Sequence, residues 1–490
     1  MKYLGIVSLG HDASVALIED GEILFASHSE RYSRVKNDPN INKELLEDAL
    51  SYGWPDKIVW YERPWVKAMR HVRAGQWDEL PKVNIKKHLR EMGLGDIPFT
   101  TVGHHESHAA AGYYTSSYED ASILVCDAIG EMTTISVWTA DQNEMKCVYE
   151  EKYPHSLGLM YSAVTQRVGL KPNEEEYILM GMAALGKPKY KDEMKQMFID
   201  PNHYLPAFKT HYNLHRGMKW WRPDLNTTQD FYDIAASMQE ITESWLSRVT
   251  RWMSVNLPSK NLILMGGVAL NCKANSVIAE SKVYDNIWIM PNPGDAGSSI
   301  GAVAAFTQER INWTGAYLGH DIKREVNVKE VVAALINGDV IGLANGRAEF
   351  GPRSLGNRSI LADPRGDHVK DKVNSFKKRE MFRPFAPVVM QEHATEYFDM
   401  PYPDTPYMQF TAKCIQPDVI PAVCHYDNTS RVQTVTREQN ELLYAILEEF
   451  YAQTGCPVLL NTSLNIKGQP LVNTWKDAQE FERHYGIKVY

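Results

Sequence analysis

Near the start of the chain, apolar and polar positions alternate in three short runs that read as strands: Tyr3 to Leu9, Ala13 to Ile18 and Glu22 to Ser27. A Gly10-His11-Asp12 turn joins the first two. Asp20-Gly21 joins the last two, as a two-residue hairpin whose residues tolerate the positive φ it needs. The pattern returns downstream. An apolar run from Ile123 delivers Asp127 at its end, Thr133 to Thr139 and Met145 to Tyr149 follow, and Gln142-Asn143 is the turn between them. Strand, acidic turn and hairpin, twice over, predict a duplicated α/β unit with a polar turn from each half facing a shared cleft.

Helical spacing fills the intervals. An alanine-rich run from His104 fades at Thr115-Ser116-Ser117. Gln229 to Met253 carries Ile234, Met238, Ile241, Trp245, Val249 and Trp252 as a core stripe, closed by Pro258. Strands Leu262–Met265 and Ile287–Met290 precede an Ala/Gly-rich helix. Trp54 to Gly93, with Trp60, Trp65, Arg70, Arg73, Trp77, Lys86, Lys87 and Arg90, reads as amphipathic helix with a solvated face. Tyr204 to Trp221, aromatic and basic without period, reads as a long surface loop, the kind that is often functional. The chain turns polar over Gly319–Glu330, which places a boundary between domains 1–325 and 326–490. The second domain opens with helix Val328–Ile336 and strand Val340–Leu343.

Composition narrows the class. The 490 residues are 44% hydrophobic and 23% charged, enough for two or three packed domains. A net charge of −9 argues against a broad polyanion-binding surface while leaving room for a local basic groove. Six scattered cysteines form no CxxC pair, which fits a reducing compartment. The N-terminal apolar run is too short for a signal peptide, and no stretch is long enough to span a bilayer, so the expectation is a cytoplasmic protein without membrane contact.

Three groups of residues carry candidate chemistry. His104 and His108, four apart, place both imidazoles on one helix face, and Asp127 at a strand end completes a mixed N/O set for a borderline divalent metal. The same spacing also fits a histidine pair packed into a core helix. Asp295, on a glycine-bounded turn after a strand, is placed to be a fourth ligand. Gly266-Gly267, after a strand, lets backbone approach a ligand and frees N–H groups for phosphate. A third group lies between Arg347 and Ser463: cations among Gly, Pro and Phe at Arg353, Lys377-Lys378-Arg379, Arg383 and Arg431. Preformed turns of this kind suit a small, highly charged anion better than surface salt bridges.

Taken together, GHDASVALIEDG, HHESHAAAGYY, CDAIGE, GGVALN, PNPGDAGSSIGA, EFGPRSLGNRSILADPR, REMFRPFAPVV, RVQTV and TGCPVLLNTSLNIKGQP resemble the NodU/CmcH-type O-carbamoyltransferases, in family order from residue 5 to about 472. The resemblance implies two catalytic domains. The first is a duplicated actin/sugar-kinase-like (RNase H-like) domain, similar to threonylcarbamoyl transferases, and the second is a YrdC-like α/β domain. It implies that carbamoyl phosphate and ATP, with Mg, form carbamoyl-adenylate in the second domain. The carbamoyl group then passes to an acceptor hydroxyl in the first, which holds a divalent metal, iron first, with manganese or magnesium as alternatives. By motif, His104, His108, Asp127 and Asp295 would bind the metal, and Gly266, Gly267 and Asn271 the adenylate. His11 and Asp12 would lie at the acceptor, with His11 as base. Arg353, Lys378, Arg431, Asn461 and Ser463 would hold carbamoyl phosphate and the nucleotide phosphates. Trp220 and Trp221 are expected to face the acceptor, either a sugar or natural-product hydroxyl or a hydroxymethylated pyrimidine in a nucleotide or DNA. The rival functions are a threonylcarbamoyl-type tRNA modifier and a non-catalytic nucleotide-binding protein on the same scaffold.

Overall fold

The computed structural model describes residues 1–490 apart from 74–76, 79, 81–83, 201–204, 206, 210 and 211, and apart from the side chains of Arg73 and Asp367. The first sheet comprises β1 (Lys2–Val7), β2 (Ser14–Glu19), β3 (Glu22–His28), β4 (Lys57–Trp60) and β5 (Phe99–Thr101), in the order β3-β2-β1-β4-β5. The second comprises β6 (Asp120–Gly130), β7 (Thr133–Asp141), β8 (Glu144–Lys152), β9 (Asn261–Met265) and β10 (Asn286–Trp288), in the order β8-β7-β6-β9-β10. Each has an antiparallel meander on one side of its first strand and two parallel strands on the other. The two sheets therefore share one topology, and the expected duplication is present. Both hairpin turns are left-handed at their centres, with φ of 48° and 83° at Asp20 and Gly21 and 47° and 70° at Gln142 and Asn143.

Helix His104–Thr115 is buried along its whole length except Glu106, and helix Ser298–Thr307 packs directly on it. A helix covered on all sides has no polar stripe to show, which explains its Ala, Gly and His composition. The contact depends on Gly301: a Cβ there would meet the Ser107 carbonyl oxygen at 1.8 Å. The parallel strands of both sheets end on the polar residues of one cleft. His11 and Asp12 follow β1, Glu62 follows β4 and His104 follows β5; Asp127 lies on the last turn of β6's ladder, Gly267 follows β9 and Asp295 follows β10. Ligand residues at the carboxyl ends of parallel strands are the usual placement in α/β folds.

A third sheet comprises β11 (Ile341–Ala344), β12 (Arg358–Ala362), β13 (Ala386–Met390), β14 (Gln433–Val435) and β15 (Val458–Ser463), in the order β11-β12-β15-β13-β14. It has its own apolar core, which takes in Val331, Val332 and Leu335 of helix Val328–Ile336. Bonds from helix Cys272–Glu280 hold this region against the second sheet: Asn275 donates to the Gln409 carbonyl, Ser276 to that of Thr411, and Lys273 pairs with Asp427 at 2.9 Å.

Two sequence expectations change. The polar stretch around Gly319 contains a strand, Tyr317–Ile322, paired antiparallel with Gly346–Glu349, because Leu318 and Ile322 bury their side chains between polar neighbours. Trp54–Gly93 is not helical throughout. Ile58-Val59-Trp60 is a buried strand beside β1, too short to show a period, and the α-helices among the described residues of the stretch are Pro64–Arg73 and Ile85–Glu91.

Candidate active site

Helix His104–Thr115 begins where β5 ends, so its first and second turns point His104 and His108 at the end of β6. The two Nε2 atoms lie 3.2 Å apart. His104 Nε2 is 3.5 Å from Asp127 Oδ2 and 3.5 Å from Asp295 Oδ1, and His108 Nε2 is 3.3 Å from Asp295 Oδ1. One ligand atom from each of the four lies within 4.8 Å of all the others. Two donors each about 2.1 Å from one tetrahedral ion stand about 3.4 Å apart, so the donor types and spacings fit a divalent cation. The Gly267 N–H donates to Asp127 Oδ1 at 3.1 Å and leaves Oδ2 for the cluster. Gly130 makes room for the His104 ring, since a Cβ there would meet Cδ2 at 2.1 Å. Burial opposes charge on His104, Asp127 and Asp295, but attraction within the cluster outweighs it: the His104 pKa is raised and those of Asp127 and Asp295 are lowered.

Beside this cluster, His11 Nε2 faces the Asn173 carbonyl at 2.9 Å and Nδ1 faces Asp12 Oδ2 at 3.1 Å. Both ring nitrogens thus meet acceptors. Burial works against the charge, but the Asp12 hydrogen bond and the Asp12 and Asp295 charges prevail and raise the imidazole pKa to about 10. As arranged, His11 holds its proton. Gly266 has φ 87° and lies too close to the Cys126 carbonyl for any side chain, which explains the first glycine of the pair. Asn271 caps helix Cys272–Glu280 and is fixed by Gln239.

One cavity of about 630 Å³ runs from this region into the third sheet. Its near end is lined by His11, Asp12, Asp127, Gly267, Asn271 and Asp295, and its far end by Arg353, Lys377, Arg379, Arg383, Arg431, Asn461 and Ser463. Arg353, Arg431, Asn461 and Ser463 are therefore brought together as expected. Lys378 is not. Helix Asp367–Phe376 ends at Lys377, which remains right-handed and is buried, while Lys378 turns left-handed at φ 52° and points to solvent. Lys377 Nζ donates to Ser463 Oγ at 3.0 Å and Asn465 Oδ1 at 3.1 Å, and also to the Ser463 carbonyl. Among the described residues no carboxylate pairs with Lys377, Arg353 or Arg431. Burial, then Arg379, Arg383 and Lys36, holds the Lys377 ammonium well below the usual lysine range, and burial with Arg431 nearby brings Arg353 to about 9. Asn461 donates to Gln433 Oε1 at 2.7 Å and the Ser354 carbonyl at 3.2 Å, and its Oδ1 has no partner among the described residues.

Family models for the carbamoyltransferase N-terminus and C-terminus match residues 82–304 and 332–490. The chain belongs to the carbamoyltransferase family. An uncharacterized protein of Synechocystis sp. is 34% identical over 97% of this chain and 93% of its own. Nodulation protein NolNO of Sinorhizobium fredii is 31% identical over 96% of this chain and 76% of its own. The 3'-hydroxymethylcephem-O-carbamoyltransferase of Amycolatopsis lactamdurans is 27% identical over 98% and 96%. These relatives put the chain in the NodU/CmcH-type group, and it is a transferase.

In this carbamoyltransferase the described part of the aromatic loop divides between core, surface and cavity. Tyr204 and His211 lie outside the described residues. Trp221 is 2% exposed and belongs to the core around Phe198 and Tyr190. Trp220 is half-exposed and stacked on Tyr212, and neither tryptophan lines the cavity. His215, from the same loop, does line it. Lys377, Arg379 and Arg383, members of the third cation group, line the cavity as well, although the resemblance assigned roles there only to Arg353, Lys378 and Arg431 among the cations. No helix among the described residues is long and apolar enough to cross a membrane.

Proposed function

We propose that this enzyme is an ATP-dependent O-carbamoyltransferase working through carbamoyl-adenylate. Residues 1–325 form an actin/sugar-kinase-like transfer domain, and residues 326–490 a YrdC-like adenylate-forming domain. The matching strand order of the first two sheets supports the former assignment. The observation that carries the reading is the single cavity, with a metal-type donor set next to one end and uncompensated cations at the other. At the cationic end, Arg353, Lys377 and Arg431 offset repulsion between carbamoyl phosphate and ATP. One water releases phosphate from carbamoyl phosphate to leave carbamate, the carbamate oxygen attacks the α-phosphorus of ATP and expels pyrophosphate, and the carbamoyl-adenylate then moves through the cavity without meeting bulk water. At the other end, Gly267 and Asn271 line the place for the adenylate, the glycine by letting it approach the backbone closely. His104, His108, Asp127 and Asp295 would hold a divalent cation, which supplies Lewis acidity toward the leaving AMP. The acceptor oxygen attacks the carbamoyl carbon, and the bond to AMP breaks. The acceptor proton goes to the His11–Asp12 pair, which can take it only after His11 has released to solvent the proton it holds between Asn173 and Asp12.

The acceptor is a hydroxyl-bearing molecule. Neither Trp220 nor Trp221 lines the cavity, so a sugar or natural-product hydroxyl needs no stacking partner there and is the reading we favour over a hydroxymethylated pyrimidine. The test follows pyrophosphate and carbamoylated product separately. His104→Ala should lose transfer yet keep carbamoyl-phosphate-dependent pyrophosphate release from ATP. Arg353→Ala should lose both. Equal loss of pyrophosphate release in the two variants would refute this division of labour.

A further inference from the structure

The geometry points to Glu62 and Lys67 as a buried positioning pair behind the metal-type cluster. This inference rests on the reading of His104 as a metal ligand. Glu62 follows β4, is 4% exposed, and gives one carboxylate oxygen to Lys67 Nζ at 2.6 Å. Its other oxygen lies 3.7 Å from His104 Nδ1. That nitrogen is buried and has no hydrogen-bond partner among the described residues. A shift of about 0.8 Å would close an Nδ1–H···O hydrogen bond to Glu62. The proton would then sit on Nδ1, and the Nε2 lone pair would face His108, Asp127 and Asp295. A carboxylate on the far nitrogen both fixes the tautomer of a ligand histidine and makes it more basic.

Lys67 is the second half of the device. Buried at 8% exposure, it pairs directly with Glu62, and its ammonium also donates to the Leu9 carbonyl at 3.0 Å. Leu9 immediately precedes the Gly10-His11-Asp12 turn. The pair therefore braces the ligand histidine and the acceptor-side turn from one point. A buried ion pair kept only for stability is a poor explanation, because well-packed apolar residues of the same size usually serve as well. Tyr61, the neighbour of Glu62, packs its ring 5.2 Å from that of His104 and limits its rotation, so the remaining freedom is the tautomer that Glu62 selects.

The test titrates purified full-length protein with Co²⁺ against a chelating dye and records the d–d spectrum of the bound ion. Glu62→Gln combined with Lys67→Met removes the carboxylate without leaving an unpaired buried cation, and Glu62→Asp keeps the charge but withdraws it from Nδ1. Both variants should bind Co²⁺ about 10- to 100-fold more weakly than wild type, with an altered d–d spectrum. Their thermal midpoints without metal should stay close to wild type, and a merely structural pair would give the reverse pattern. Wild-type affinity and spectrum in the folded double variant would overturn the proposal alone. A wild-type protein that binds Co²⁺ no better than His104→Ala would overturn it together with the metal reading.

Discussion

Lys377 carries its ammonium into the cavity among three oxygens and no carboxylate, while Lys378, one residue on, stands in solvent. The difference is a backbone one: the helix ends between them, and the left-handed Lys378 turns the chain outward. Lys377→Met should therefore abolish carbamoyl-phosphate-dependent pyrophosphate release, and Lys378→Ala should leave it within twofold of wild type. A pyrophosphate assay on both variants decides which lysine belongs to the site. The tryptophan pair separates in the same way. Trp221→Ala empties a packed core position and should cost about 3–5 kcal/mol in denaturant unfolding. Trp220→Ala, at a half-exposed stack, should stay within about 1 kcal/mol. Adjacent residues of one type read alike in a sequence. Which of them turns inward depends on where an element ends, and no period reports that.

At the scale of elements, the site depends on two helices meeting at very short range. Gly301→Val should push helix His104–Thr115 away from Ser298–Thr307, because its first side-chain carbon already overlaps the Ser107 carbonyl. Unfolding should shift by about 1–3 kcal/mol or more, and Co²⁺ affinity should fall, since His104 and His108 ride on the displaced helix. A variant that keeps wild-type metal binding would show that the helix tolerates the move. The hairpins, the long amphipathic helix and the His-Ala helix were legible because each has a strong local signal: left-handed turn residues, a 3.6-residue stripe, or spacing by four. Strands β4 and Tyr317–Ile322 were not. The first is three apolar residues inside aromatic and basic sequence, and the second is broken by Gly319, His320 and Asp321, which read as linker. Tertiary pairing to β1 and to Gly346–Glu349 makes them strands.

For the whole molecule, the cationic end of the cavity is a place where folding has been made to accept repulsion. Arg353, Lys377 and Arg431 are gathered without anionic partners among the described residues, so an anion that binds there stabilises the folded state specifically. Pyrophosphate at 100 times its Kd should deepen stability by about 2.7 kcal/mol, seen as a raised melting temperature in calorimetry. Arg353→Leu should lose most of that increment, and an equal shift in the variant would place the anion elsewhere. The four-residue metal-type set was legible because its members sit in separate, distinctive motifs. The continuity of the cavity was not, since it depends on how the third sheet docks against helix Cys272–Glu280. The unpaired cations also tie the enzyme's lifetime to its own supply. Cellular proteases act on the opened chain, and its population falls as ligand binding deepens the folded state. A cell short of the anionic donors would therefore clear this protein faster than a well-fed one, and its abundance would follow nutrition without any dedicated degradation signal.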